Sequence, residues 1–215
     1  MKNHWRKLLA LLPEKAERKQ YEKHFKREHT QWVKSGSPLP VSNLSKQKVL
    51  MQFQQQNSIK NFVETGTYFG DTLYAVYPHF EQLYSIELSP VFFKKAQQRF
   101  KHLQKVQLLQ GDSGKVLKHL VPALNSAAIF WLDGHYSGGL TAMGDKECPV
   151  YEELNAIFAS PFSHLVFIDD ARLFIGKNDY PTIEELRAFV QQHKAGYSFS
   201  VENDCIRLLP ADTRS

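Results

Sequence analysis

The sequence predicts an α/β fold: a doubly wound, mostly parallel sheet of seven strands with an antiparallel C-terminal hairpin and an N-terminal helical extension. Three observations predict it. From residue 60 onward, short β-rich runs alternate with helical stretches, the pattern of a parallel sheet covered by helices on both faces. Several of these runs end in an acid: Glu64, Glu87, Asp112, Asp133, Asp169 and Asp170. The last two runs are separated by little more than Asp204, which makes them a hairpin at the sheet edge.

The elements follow in order. Residues 2–33 read as helical: Trp5, Leu8, Leu9, Leu11 and Leu12 cluster, and Tyr21, Phe25 and Trp32 recur at about one and two turns. Pro13 marks the start of a second helix, since proline is tolerated in a first turn and harmful deeper in. The stretch "KSGSPLPVSN" (34–43) is a linker by its Gly, Pro and Ser content, and 44–57 forms another helix. The strands are "NFVET" (61–65), "QLYSIEL" (82–88), "VQLLQGD" (106–112), "AAIFWLD" (127–133), "HLVFIDD" (164–170), "YSFSVEN" (197–203) and "CIRLLP" (205–210). Helices fall near 71–78, 90–103, 114–124, 148–159 and 181–194. This organisation predicts a basic helical extension over 1–57 and one domain over 58–215.

Size and charge narrow the function classes. A chain of 215 residues buries a real core. It shows no apolar run of membrane-spanning length and no signal-peptide pattern at its start. Two cysteines, Cys148 and Cys205, are too few and too far apart for a disulfide framework or a zinc cluster, so a cytoplasmic location is expected. Residues 1–60 carry 13 Lys and Arg against 4 Asp and Glu, while the rest carry 14 against 18. The basic character therefore belongs to the N-terminal segment. It reads as a solvated helical arm, or as one that meets phosphate or an anionic lipid surface.

The stretch "NFVETGTYFGDTLYAV" (61–76) places a glycine loop after the first strand. A P-loop needs a Lys–Ser/Thr pair, and this loop has no lysine. A dinucleotide loop wants G-x-G-x-x-G against a pyrophosphate, but here Gly66 and Gly70 are spaced by three residues. Glu64 before the loop and Asp71 after it would repel that pyrophosphate. S-adenosylmethionine has no phosphate and carries a sulfonium and an ammonium, which suit a carboxylate at Glu64. Glu87, at the end of the second strand, stands where an acid binds ribose hydroxyls. Asp112 and Ser113 stand where the adenine amino group would bind, although each, like Ser89, equally suits a helix cap.

The segments "FVETGTYFGDT", "LYSIELSPVFFKKAQQRF", "VQLLQGDSGKVLKHL", "FWLDGHYSGG" and "LVFIDDAR" resemble, in that order, class I S-adenosylmethionine-dependent methyltransferases. They look most like the small-molecule O-methyltransferases of the catechol and macrocin types. The resemblance spans about residues 58–210 and implies a Rossmann-like methyltransferase fold. It also implies S-adenosylmethionine as cofactor and O-methylation of a small-molecule or sugar hydroxyl. The implied cofactor contacts are Glu64, Gly66, Thr67, Tyr68, Gly70, Thr72, Glu87, Asp112, Ser113 and Asp133.

Asp133, Asp169 and Asp170 end the adjacent fourth and fifth strands. Three convergent acids repel one another unless something positive lies among them, and a hard divalent ion such as Mg²⁺ accepts such ligands. Catechol-type enzymes carry an Asp and an Asp-Asn pair at the corresponding positions, which makes these three the implied metal ligands, with Asp170 replacing Asn. The family's basic lysine falls near Tyr136 and is absent, which leaves His135 as the candidate general base beside Asp133. The loop 137–149 has the composition of a substrate-covering segment. Arg172 would pair Asp170 or bind an anionic substrate. Cys148-Pro149 reverses the order found at the nucleophile of pyrimidine C5 methyltransferases, and no Asn/Asp-Pro-Pro-aromatic motif for amino-methylation is present.

Three other readings compete. A nucleic-acid-modifying enzyme would hold phosphates with the basic arm, a non-catalytic module would keep only the cofactor fold, and an oxygenase-like enzyme would use the acids for iron. The apolar positions of the arm are compatible with a homodimer.

Overall fold

The computed structural model describes residues 14–134 and 148–211. His135, Tyr136, the stretch 137–147 of the expected substrate loop and the helical reading of 2–13 lie outside the described residues. The chain divides into two compact units, Met1–Val49 and Leu50–Ser215. In the first unit, α1 (Glu14–Lys34) ends in a turn. There the Trp32 indole N–H donates to the Pro38 carbonyl at 2.6 Å. Helix α2 (Asn43–Asn57) carries the unit boundary within it.

In the second unit, seven strands form one sheet. They are β1 (Asn61–Thr65), β2 (Gln82–Glu87), β3 (Val106–Gln110), β4 (Ala128–Leu132), β5 (Leu165–Ile168), β6 (Tyr197–Glu202) and β7 (Cys205–Pro210). Their spatial order is β3-β2-β1-β4-β5-β7-β6. Pairings among β1 to β5 are parallel, and β7 is antiparallel to both neighbours. The expected mostly parallel sheet with a terminal hairpin is the fold observed. Strands β1, β4 and β5 are buried along their whole length, which is why their sequences read as continuous apolar runs rather than alternations. The edge strands β3 and β6 are only partly covered.

Helices cover both faces. On one face, α5 (Ser113–Ala123), α6 (Val150–Phe158) and α7 (Ile183–His193) pack Leu117, Leu154 and Leu186 against Val63, Phe130 and Val166. The other face is met by Phe53 of α2, whose ring stands 5.1 Å from that of Phe167, and by Phe80, 5.1 Å from Phe62. Also in this unit are α3 (Asp71–Val76) and α4 (Pro90–Phe100). Local chemistry sets the ends. Thr182 and Glu185 form a reciprocal capping box that starts α7. Pro78 lies within the 3₁₀ turn Tyr77–His79, so α3 is shorter than the expected 71–78. Strand β5 stops at Ile168 because Asp170 turns to φ 55°, ψ 47° and opens a 3₁₀ turn, Ala171–Leu173.

Beneath the sheet's amino end, His164 is fully buried. Its Nδ1 accepts the Ala128 N–H at 3.0 Å, which leaves Nε2–H facing Ser160 Oγ at 2.8 Å. Burial, reinforced by Lys194, lowers its pKa to about 4 from 6.5. The unfolded chain therefore takes up a proton below pH 6.5 that the folded chain refuses until about pH 4. This contribution to stability is lost as the pH falls through that window, by on the order of 3 kcal/mol. Denaturant titrations of the wild type and His164→Asn should show the wild-type advantage at pH 7 shrinking by about that amount at pH 4. An advantage independent of pH would refute the assignment.

The order of the strands reverses at β1. The chain steps outward through β2 and β3, then returns to place β4 on the other side of β1. In such sheets the ligand crevice lies outside the carboxyl ends of the strands at that reversal.

Candidate functional site

The crevice is built by the segments that leave β1, β2, β3, β4 and β5. The Gly66 N–H continues the ladder to the Ile86 carbonyl at 2.9 Å, and Asp133 N–H donates to the Thr65 carbonyl at 3.1 Å. Gly66 has φ 81°, and a Cβ there would stand 2.2 Å from the Asp133 carbonyl oxygen. Only glycine lets the loop leave β1 so close to the end of β4. Gly70, with its Cβ position 2.5 Å from the Phe100 ring, is the N-cap of α3 and donates its N–H to the Thr67 carbonyl.

Glu64 lies below this loop and not at its mouth. It is buried, and its Oε2 accepts the Ser85 hydroxyl at 2.7 Å; that hydroxyl lies 2.6 Å from Thr67 Oγ1. Burial raises the Glu64 pKa to about 8, opposed by the Ser85 bond and reinforced by Glu87 and Asp71. In the ligand-free chain burial thus favours the protonated form near neutral pH, because an unpaired charge there would lose its hydration. Asp71, expected as a repelling anion, is paired. It does not stand as an open anion, because Arg99 Nη1 meets its Oδ1 at 2.8 Å and also reaches the Phe69 carbonyl.

Glu87 ends β2, largely buried, with Oε2 accepting the Tyr68 N–H at 2.7 Å and Oε1 the Ser89 N–H at 2.8 Å. Burial raises its pKa, and these N–H groups oppose the rise. One side chain thus fixes Tyr68 at φ 49° and the entry to α4. Ser89 occupies the N-cap of α4 but makes no side-chain cap bond. Asp112 does cap α5, accepting the Lys115 N–H on Oδ1 at 3.0 Å, and Ser113 follows it, buried. The Tyr68 ring, half exposed, packs 4.3 Å from Phe69 and 4.7 Å from Phe92. Thr72 lies half-buried in the first turn of α3.

Asp133, Asp169 and Asp170 do come together: one carboxylate oxygen from each lies within 4.8 Å of the others. Asp169 Oδ1 accepts the Asp170 N–H at 2.8 Å. Arg172 Nη1 meets Asp170 Oδ1 at 2.7 Å and also pairs Asp204. Asp204 in turn accepts the Arg172 N–H at 2.9 Å, so the β6–β7 turn clamps the segment after β5. Part of the positive charge that this cluster requires is therefore the chain's own guanidinium. The donor set is all carboxylate oxygen, which suits a hard divalent cation and no soft one.

Sequence reasoning missed Ser85, Arg99, Asp204 and Glu153. Glu153, on the first turn of α6, is only 2 % exposed. Burial raises its pKa to about 7, opposed by the Ser113 and Thr65 hydroxyls. The signal was present: Val150, Glu153, Leu154 and Ile157 share one helix face, and an acid on an apolar face is the anomaly to notice. Cys148 is also buried, and desolvation pushes its thiol up to about 12, which suits an inert packing residue and no nucleophile. Both cysteines are free. Among the described residues, no helix is long and apolar enough to cross a membrane.

Comparison with known proteins gives the fold its context. No protein-family model matches the chain, and no curated protein does. Solved structures do. A Podospora anserina methyltransferase, PaMTH1, solved with S-adenosylhomocysteine, superposes with TM-score 0.59 at 15% identity, over 94% of this chain and 99% of that one. The Bacillus cereus O-methyltransferase bound to S-adenosylhomocysteine gives TM-score 0.56 at 12% identity, over 93% of each chain. The Streptomyces achromogenes O-methyltransferase TomG, involved in tomaymycin synthesis and solved with S-adenosylmethionine, gives 0.55 at 15% identity, over 86% of this chain and 89% of that one. The architecture is shared nearly end to end, although few residues are.

Proposed function

We propose that this chain, whose fold is that of the class I S-adenosylmethionine-dependent methyltransferases, moves a methyl group from S-adenosylmethionine to a hydroxyl of a small molecule or sugar. The observation that carries the reading is the chemistry of the crevice. At the strand reversal the carboxyl edge presents Glu87, Asp112, Asp133, Asp169 and Asp170, and the loop 66–70 holds no lysine or arginine. A diphosphate would meet anions there; a cationic sulfonium and ammonium fit. The neighbours crystallised with the donor or its demethylated product support the same reading.

Each residue then has a task. Gly66, Thr67, Tyr68, Gly70 and Thr72 shape the loop around the donor's amino-acid end, with Glu64 beneath it. Glu87 accepts from the ribose hydroxyls with the lone pairs that its two backbone donors leave unused. Asp112 Oδ2 accepts from the adenine amino group while Oδ1 keeps its cap, and Ser113 borders the same ring. Asp133 borders the methyl-bearing end. S-adenosylmethionine supplies a methyl on a positively charged sulfur, which makes the reaction a direct displacement. The acceptor oxygen forms a bond to that carbon as the carbon–sulfur bond breaks, and the hydroxyl proton leaves to a base. We assign the base to His135, which lies outside the described residues. Asp133, Asp169 and Asp170 would hold a divalent ion such as Mg²⁺, which would lower the pKa of a bound hydroxyl. What the chain contributes is chiefly alignment.

We assign residues 58–215 to the catalytic domain and 1–57 to a basic extension. The buried free thiols fit a reducing, cytoplasmic setting. The test is methyl transfer from labelled S-adenosylmethionine to a panel of catechols, phenols and sugars, with and without Mg²⁺. Turnover of at least one hydroxyl acceptor is expected. Tight donor binding with no transfer to any hydroxyl would favour a non-catalytic module instead.

A further inference from the structure

Glu153 is the buried acid for which the proposed reaction has no use. It reaches the crevice from below. A Cβ built on Gly134, the residue after Asp133, would stand 3.0 Å from Thr65 Oγ1 and 3.4 Å from Glu153 Oε1. On the next helix, a Cβ on Gly114 would stand 2.8 Å from Glu152 Cβ. The first turn of α6 is therefore wedged against the end of β1, the end of β4 and the start of α5. Each of those segments carries a proposed donor contact: Gly66, Asp133, and Asp112 with Ser113. The hydroxyls of Ser113 and Thr65 lie close enough to act on the Glu153 carboxyl. Even so, Glu153 Oε1 and Thr65 Oγ1 have no hydrogen-bond partner of normal geometry among the described residues.

Stability does not explain a carboxyl in this place. Burying it costs desolvation, and a well-packed apolar side chain of similar volume is commonly neutral or better. Unpaired buried polar atoms are rare in folded proteins and call for a cause. Here two of them converge beside one glycine at the junction of three loop-bearing segments.

We propose that Glu153 is a positioning residue for the methyl-donor pocket, a latch from α6 that holds the ends of β1 and β4 and the start of α5 in register. The inference rests on the methyl-donor reading. Glu153 touches neither the donor nor the acceptor; it acts through Thr65, Ser113 and Gly134.

The test is calorimetric binding of S-adenosylhomocysteine to the full chain and three variants, with thermal midpoints measured alongside. Glu153→Leu should keep or raise the thermal midpoint yet weaken binding by about tenfold or more, as loss of alignment does. Glu153→Gln, which keeps the hydrogen-bonding shape, should stay within about threefold of wild type. Thr65→Val should weaken binding, and adding it to Glu153→Leu should cost little more, since neighbours in one latch are non-additive. A purely structural Glu153 predicts the opposite pattern: a lower midpoint with the affinity of the folded fraction unchanged. Wild-type affinity in folded Glu153→Leu would overturn the inference and leave the donor reading intact. If Glu153→Leu does not fold, unchanged affinity in Thr65→Val overturns it. Failure of the wild-type chain to bind overturns both.

Discussion

Gly66→Ala should unfold the carboxyl edge of the sheet. The new Cβ would meet backbone on its first contact, 2.2 Å from the Asp133 carbonyl oxygen and 2.8 Å from its carbon, at a residue held at φ 81°. Neither neighbour can turn aside as a flexible side chain would, so β1 and β4 must part or the loop must change course. The left-handed conformation and the overpacking together should cost on the order of 3–5 kcal/mol. In a domain of this size that is roughly a 10 °C loss in thermal midpoint. Binding of S-adenosylhomocysteine should disappear with it, because the same contact aligns Gly66 with Asp133. Gly196→Ala is the matched control: nothing lies within 4 Å of its Cβ position, and its midpoint should not move. Scanning calorimetry of the two variants decides the matter, and equal midpoints would show that the close approach is not a constraint.

The affinity for the donor should depend steeply on pH, and Glu64 should be the reason. Burial holds its carboxyl up to about 8 in the free protein, with Glu87 and Asp71 raising it further and Arg99 and Ser85 lowering it. A cation bound over the loop favours the ionised form, so binding below pH 8 must expel a proton. Affinity therefore falls as the pH falls, by roughly tenfold per unit until the carboxyl of the complex itself titrates. In the free protein the sign is the reverse of the usual carboxylate case. The unfolded chain ionises Glu64 from about pH 4.5 while the folded chain resists until about 8, so this group costs stability as the pH rises through that window. Glu153, raised to about 7, adds a smaller cost of the same sign. Glu64→Gln should flatten the affinity profile between pH 6 and 8 and raise stability at the upper end. A profile equally steep in the variant would place the proton elsewhere.

The architecture was legible from the sequence because its central strands leave no ambiguity. "NFVET", "AIFWL" and "LVFI" are buried on both faces, so their composition alone sets them apart from the helices. Their acidic ends then mark the carboxyl edge. Ionisation was less legible. Glu64 reads as an anion at a loop mouth, but its side chain packs onto Ser85 of the neighbouring strand, where burial decides its charge. Asp71 reads as a repelling anion, but Arg99, 28 residues onward, answers it; pairing of that kind depends on how α3 and α4 meet. Of the two roles expected for Arg172, pairing Asp170 or binding an anionic substrate, the pairing is present, whereas its second partner, Asp204, arrives from the far hairpin. Glu153 is recognised only when the helix is drawn with Val150, Leu154 and Ile157 on the same buried side.

The proposed function requires that the crevice at the strand reversal accept a positively charged, phosphate-free adenosine ligand. Parallel calorimetric titrations of the full chain with S-adenosylmethionine and NAD⁺ at pH 8, in low salt, test it most directly. A saturable, one-site heat of binding is expected with S-adenosylmethionine and none with NAD⁺. Saturable binding of NAD⁺ with no response to S-adenosylmethionine would contradict it.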